Sequence, residues 1–107
     1  MTPPPLSAHA LGLVQEVLQR HPEVQTAILF GSRAKGTHTE RSDVDLVLSG
    51  DVPSLRAESI AAELDELPLP YRFDVQPLAE ITHRELLDHI ARVGITIYEA
   101  PSLTRSV

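Results

Sequence analysis

Apolar residues recur along the chain with two different periods, and the change between them divides the chain into helices and strands. A helical period predicts helices over residues 6–21, 53–67 and 82–94. Alternating or continuous apolar runs between turn residues predict strands over residues 25–30, 44–48, 71–77 and 95–98. Between the first two strands, Gly31 is expected to open a brief helix and Gly36 to end it.

The strand patterns also indicate which faces are buried. The continuous apolar run 28–30 predicts a central strand that is covered on both sides. In strand 44–48, Val44, Leu46 and Leu48 fall on the core face, so Asp43 and Asp45 project together from the opposite face, away from the main core. Strand 95–98 is short and β-branched, which is typical of a sheet edge. The fold class is therefore α/β (α+β), a small mixed β-sheet of three to four strands with helices packed on one face.

Polar residues mark the expected starts of two helices. Ser7 is placed to cap the first helix. Thr82 and Glu85 have the spacing of a capping box at the start of the last helix. Both helices then continue with an apolar stripe, so each cap agrees with the periodicity that follows it.

Composition narrows the class of protein. A chain of 107 residues is expected to form one domain over residues 1–107, with flexible tails at 1–5 and 101–107. The net charge of −6 and the scattered cationic residues argue against binding to a nucleic-acid backbone. The absence of cysteine excludes disulfides and thiolate metal sites. No signal peptide or membrane-spanning run is visible, so a cytoplasmic protein is expected.

Two strands carry the candidate catalytic carboxylates. The Cα atoms of Asp43 and Asp45 are expected roughly 6.6 Å apart on one face, at about 3.3 Å per residue. Asp74 lies on the strand predicted over 71–77. If this strand is a neighbour of strand 44–48 in the sheet, Asp74 would lie beside Asp43 and Asp45. Clustered carboxylates repel one another unless a cation lies between them, and Mg²⁺ favours such oxygen ligands. Asp74 alone would be more typical of a residue that faces water, whereas the Asp43 and Asp45 pair after Gly31 and Ser32 favours a functional site.

A Gly-Ser pair precedes the paired aspartates. Gly31 allows a phosphate to approach the backbone, and Ser32 adds a hydroxyl donor. Arg33 and Lys35 would add positive charge near the leaving group. A P-loop is excluded, because Thr37 stands where that motif needs lysine. The five histidines show no ligand spacing, so surface positions are expected for all of them, including His38 in the central loop.

The order of these motifs resembles the nucleotidyltransferase superfamily related to DNA polymerase β, whose signature is Gly-Ser, a spacer, Asp-x-Asp and a later strand aspartate. The runs GSRAKG at 31–36 and SDVDL at 42–46 are similar to those of the minimal nucleotidyltransferases, the MNT antitoxins encoded beside HEPN ribonuclease toxins. The resemblance covers essentially the whole chain.

The resemblance implies a nucleotidyltransferase fold and a set of residue roles. Catalytic and metal-binding roles fall to Asp43, Asp45 and Asp74, which would hold Mg²⁺, with two ions expected. The triphosphate of the substrate ATP would be held by Gly31, Ser32, Arg33 and Lys35.

The activity implied by the resemblance is transfer of AMP to a hydroxyl, expected to be a tyrosine, of a cognate HEPN toxin with which the protein forms a hetero-oligomer. Two other functions remain open from the residues. One is a non-catalytic antitoxin that neutralises the toxin by stoichiometric binding. The other is a nucleotidyltransferase that modifies a small molecule, which would need an acceptor cleft that is not evident in so short a chain.

Overall fold

The predicted helices and strands all form, with ends that differ by a few residues. The computed structural model describes residues 4–39 and 41–101. Helices are α1 (Ala8–Gln19), α2 (Ser32–Lys35), α3 (Ser54–Asp65) and α4 (Arg84–Val93). Strands are β1 (Val24–Phe30), β2 (Val44–Gly50), β3 (Phe73–Pro77) and β4 (Ile95–Glu99), and one 3₁₀ turn follows β3 at Leu78–Glu80.

The strands form one mixed sheet in the order β3-β2-β1-β4. The central strand β1 is antiparallel to β2 and to β4, whereas β2 and β3 run parallel. The position of β4 confirms the expected edge strand, and β3 forms the other edge. A mixed sheet of four strands confirms the predicted fold class.

One face of the sheet is covered by α1 and α3. Side chains from both helices join the inward-facing residues of the strands in a single apolar cluster. Its most buried members include Val14 and Leu18 of α1, Leu29 of β1, Leu46 of β2 and Ile60 of α3. Burying side chains of this size stabilises the fold by about 1.5–3 kcal/mol each. This cluster holds the strands that carry the site.

The expectation that helices lie on one face only is wrong, because α4 packs against the opposite face. Ile90 of α4 meets Phe30 and Val47 in a second buried cluster, with Ile28 packed beside it. Strand alternation places Val47 on the same face as Asp45. That face is therefore polar at one end and apolar over the rest, and the apolar part needs cover. The helix α4 consequently lies next to the aspartates.

One predicted cap is confirmed and the other is shifted. The hydroxyl of Ser7 accepts a hydrogen bond from the N–H of Ala10 at 3.1 Å. The helix α4 begins one residue later than a capping box at Thr82 requires, so that prediction is wrong. His83 takes the cap position, and its Nδ1 accepts from the N–H of Leu86 at 3.3 Å. An imidazole nitrogen can satisfy a helix N–H as a threonine hydroxyl would.

His21 departs from the expected surface position of the histidines. The residue is only 8% exposed, just after the end of α1. Its Nε2 lies 3.1 Å from Oε2 of Glu63, and its Nδ1 lies 3.5 Å from Oε2 of Glu23. These contacts connect the end of α1 to α3, so His21 supports the layer beneath the sheet.

The predicted tails fall mostly outside the described part of the chain. Residues 1–3 and 102–107 lie beyond it, so the tails expected at 1–5 and 101–107 are largely untested. Pro5 is described, and its carbonyl accepts a hydrogen bond from Arg33 at 2.9 Å. Among the described residues, no helix is long and apolar enough to cross a membrane.

Candidate active site

Three adjacent strands bring the site together in one row. The sheet register pairs Phe30 of β1 with Asp45 of β2, and Asp45 with Asp74 of β3. Neighbouring strands are about 4.8 Å apart, so the backbones at Asp45 and Asp74 are immediate neighbours. Asp43 precedes β2 by one residue and projects to the same side as Asp45. The structure thus brings together the three aspartates that the sequence singles out.

Gly31 lies directly against the carboxylate of Asp45. Its φ is +78° and its ψ is −153°, a region of backbone space that is essentially reserved for glycine. A Cβ atom at this position would overlap with Oδ2 of Asp45. Only a residue without a side chain lets the end of β1 approach the carboxylate so closely. The Gly-Ser turn and the paired aspartates therefore form one site.

The charged form of the Asp45 carboxyl group is disfavoured in this position. Burial raises its pKa, and the neighbouring charges of Asp74 and then Asp43 raise it further. A negatively charged group surrounded in this way is stabilised when a cation binds beside it. The arrangement therefore favours cation binding.

The donor set fits Mg²⁺ better than a softer metal. The candidate ligands of the site are all carboxylates, and Mg²⁺ prefers their oxygens. Asp43 and Asp74 are exposed and Asp45 is half-buried. Within residues 4–39 and 41–101, no three His, Asp or Glu side chains already stand close enough together to hold an ion. Mg²⁺ at such sites takes its other ligands from substrate phosphates and water.

Arg33, predicted to hold the triphosphate, is buried and hydrogen-bonded to backbone carbonyls. Its side chain is 5% exposed, and all three guanidinium nitrogens donate to backbone carbonyls. Nε and Nη2 reach the carbonyl of Ser42 at 3.0 and 2.9 Å, and Nη1 reaches that of Pro5 at 2.9 Å. These contacts argue against the predicted phosphate-binding role of Arg33. Five N–H donors in a planar fork suit a cluster of carbonyls as well as a phosphate.

The same guanidinium braces the loop that carries Asp43. It stacks 4.3 Å from the centre of the Tyr71 ring. Burial lowers the pKa of Arg33, although Tyr71 and Asp43 act in the opposite direction. Ser42, whose carbonyl is held, immediately precedes Asp43. Arg33 therefore fixes the backbone from which Asp43 projects.

Replacing Arg33 by lysine is expected to destabilise the fold by about 2 kcal/mol, because an ammonium group cannot serve carbonyls that lie in different directions. The midpoint of urea unfolding should fall with no change in its slope. Arg41→Lys is the matched control, because it makes the same change at an exposed position in the loop before Asp43. An unchanged midpoint for Arg33→Lys together with weaker ATP binding would restore the phosphate-binding role.

The other predicted nucleotide ligands lie on α2 or near it. Ser32 is half-buried at the first position of α2, and Lys35 is exposed at the last. Gly36 has a φ of +80° and ends the helix as predicted. His38 is half-buried in the following loop, and its Nδ1 has no hydrogen-bond partner among the described residues.

His89 is a residue at the site that the sequence does not reveal. It lies on α4, and its Nε2 accepts a hydrogen bond from the N–H of Gly31 at 3.1 Å. Its ring meets that of Phe30 edge to face, with centroids 6.2 Å apart. A lone histidine on an amphipathic helix gives no local signal of a partner 58 residues away. The amphipathic stripe of α4 predicts its buried face but not which face of the sheet it covers.

A mixed sheet with a Gly-Ser turn against paired strand aspartates defines a nucleotidyltransferase. The chain belongs to the family described as polymerase beta, nucleotidyltransferase, which matches residues 13–102. Its substrate is accordingly a nucleotide.

Two kinds of relative are similar to this chain. A probable protein adenylyltransferase MntA of Haemophilus influenzae is 29% identical over 96 residues, which cover 88% of this chain and 83% of that protein. A toxin-antitoxin crystal structure with AMP-PNP has a TM-score of 0.71 at 19% identity, covering 86% of this chain and 75% of that one. A tri-AMPylated Shewanella oneidensis HEPN toxin in complex with MNT antitoxin gives a TM-score of 0.66 at 16% identity, covering 86% and 71%. The two structures support the fold.

Proposed function

We propose that this protein is an antitoxin that transfers AMP from ATP to a hydroxyl, expected to be a tyrosine, of a cognate HEPN ribonuclease toxin and so inactivates it. The observation that carries the proposal is the row of Asp45 and Asp74 with Gly31 packed against the Asp45 carboxylate. Its similarity to a probable protein adenylyltransferase supports the choice of a protein acceptor. A toxin-antitoxin complex among its structural neighbours supports the choice of partner.

The nucleotide would lie across the Gly-Ser turn. The missing side chain of Gly31 leaves room for a phosphate to approach the turn, and the hydroxyl of Ser32 would donate to one of its oxygens. Lys35 is exposed at the end of α2 and would supply positive charge to the departing pyrophosphate. Arg33 acts indirectly by holding the backbone before Asp43.

Asp43, Asp45 and Asp74 would hold Mg²⁺, with two ions expected from the number of carboxylates. When bound, the metal neutralises charge on the triphosphate and on the attacking and leaving oxygens. Among the protein's own groups, Asp74 is exposed on the edge strand β3, where an incoming hydroxyl can reach it. We assign Asp74 to accept the proton of that hydroxyl.

The transfer itself is a substitution at phosphorus. The acceptor oxygen forms a bond to the α-phosphorus of ATP, the bond from that phosphorus to the bridging oxygen breaks, and pyrophosphate leaves. Asp43 and Asp74 are exposed, so the reacting groups lie at the protein surface. A surface site suits an acceptor carried by another protein, which brings its own docking surface and forms a hetero-oligomer with this chain. ATP supply agrees with a cytoplasmic location.

Labelled ATP tests this reaction directly. The protein is incubated with its cognate toxin, Mg²⁺ and ATP labelled at either the α- or the γ-phosphorus. We expect α-label on the toxin, γ-label in pyrophosphate, and neither without Mg²⁺. Incorporation of γ-label would indicate a kinase instead. Binding of the toxin without incorporation of either label would favour a stoichiometric antitoxin.

A further inference from the structure

His89 joins α4 to the Gly-Ser turn through a polar contact. The backbone N–H of Gly31 can only donate, so Nε2 of His89 presents its lone pair and the ring proton lies on Nδ1. The edge of the ring also packs against Phe30, the last residue of β1, with an interplanar angle of 80°. The ring is thereby held by packing on one side and by a hydrogen bond on the other.

The contact falls on the glycine where β1 passes into α2, whose carbonyl accepts a second hydrogen bond from the N–H of Lys35 at 3.1 Å. Glycine has more conformations open to it than any other residue, so a glycine peptide at a strand end needs a partner to keep one orientation. Gly31 is also the residue whose backbone touches the Asp45 carboxylate. A rotation of the Gly31 peptide would therefore move Ser32 and change the space beside Asp45 together.

We propose that His89 is a positioning residue for nucleotide transfer: it fixes the Gly31 peptide so that Ser32 and the Asp45 carboxylate keep the spacing that the bound nucleotide requires. This inference rests on the proposed function for its kinetic consequences, whereas its structural part stands on the hydrogen bond alone. His89 acts through Gly31 and makes no step of the reaction itself.

The test compares two substitutions that separate packing from hydrogen bonding. His89→Phe keeps an aromatic ring against Phe30 but has no acceptor. His89→Gln places an amide oxygen near the position of Nε2 and can accept the same bond. Asp88→Asn, at an exposed neighbouring position of α4, is the control.

Two readouts are expected to move together. Hydrogen exchange of the Gly31 amide should be faster by about five-fold in His89→Phe, because a net hydrogen bond is worth about 1 kcal/mol and about 1.4 kcal/mol corresponds to ten-fold. The kcat for AMP transfer should fall by about ten-fold or more, since small misplacements at a reacting centre carry large kinetic costs. His89→Gln and Asp88→Asn should stay within about two-fold of the wild type in both readouts, because the hydrogen bond is retained.

The proposal is overturned if His89→Phe keeps the wild-type exchange rate and kcat, or if a folded His89→Gln loses as much as His89→Phe. If His89→Phe does not fold, the comparison of His89→Gln with wild type decides: retained exchange and kcat support the proposal, and their loss overturns it. If the wild type transfers no AMP, the proposed function fails. The exchange rate of Gly31 and the affinity for a non-hydrolysable ATP analogue still test His89 in that case.

Discussion

Replacing Asp43 and Asp45 together by asparagine is expected to abolish AMP transfer without unfolding the protein. Metal electrostatics at a phosphoryl centre is worth several kcal/mol, and about 1.4 kcal/mol changes a rate ten-fold, so the rate should fall by about 10³-fold or more. Asparagine keeps the shape of each side chain but removes the charge that holds a cation. The measurement is the initial rate of label transfer from α-labelled ATP to the toxin.

The stability of this variant distinguishes lost chemistry from lost structure. The pKa of Asp45 is raised in the folded state, by burial and then by Asp74 and Asp43. Its contribution to stability is therefore present below the unfolded pKa and is lost as pH rises through the folded pKa. At neutral pH the metal-free wild type carries an unfavourable charge that the asparagine variant lacks. The variant should unfold at the same urea concentration as the wild type or at a higher one.

Asp51→Asn is the matched control for the double substitution. Asp51 is exposed just after β2, at the opposite end of that strand from Asp43. The same chemical change at this position should leave transfer and stability unchanged. Transfer at the wild-type rate by the double variant would contradict the assignment of Asp43 and Asp45.

Gly31→Ala is expected to lower both activity and stability. A side chain at this φ and ψ costs about 1–3 kcal/mol of strain, and its Cβ would overlap with Oδ2 of Asp45. Relief of the overlap has to move either the Gly-Ser turn or the carboxylate. A displacement of about 1 Å at a reacting centre can reduce the rate about 10²-fold.

Gly12→Ala provides the control for Gly31→Ala. Gly12 lies inside α1, and a Cβ atom there would meet nothing within 4 Å. This substitution should stabilise the helix by about 0.5–1 kcal/mol and leave transfer unchanged. Wild-type transfer by Gly31→Ala, with its unfolding midpoint unchanged, would contradict the close approach between Gly31 and Asp45.

The proximity of Asp43 and Asp45 is predictable from the sequence because the signals for it are local. The two-residue period around Val44 puts Asp43 and Asp45 on one side of a strand. A separate alternation over residues 71–77 predicts the strand that carries Asp74. The structure adds the register that pairs Asp45 with Asp74. Which strands are neighbours depends on pairing between distant segments of the chain. The pairing of β2 with β3 therefore could not be predicted from the sequence.

The periphery of the site is less predictable, for two physical reasons. Arg33 lies beside a Gly-Ser turn and has the charge of a phosphate ligand, but its guanidinium donates hydrogen bonds to the carbonyls of three separate residues. Those carbonyls carry no signature in the sequence. His89 reaches Gly31 only because α4 crosses the face that holds Asp45. The apolar residues Ile28 and Val47 on that face indicate that another element has to cover it.

The intact mass of the cognate toxin tests the central claim most directly. The toxin is incubated with ATP, Mg²⁺ and either the wild-type protein or the Asp43→Asn, Asp45→Asn variant, and is then weighed and assayed for ribonuclease activity. The wild type should add whole adenylyl groups to the toxin and silence it, and the variant should add none. An unmodified toxin that is silenced equally by both proteins would contradict enzymatic transfer and establish inhibition by binding.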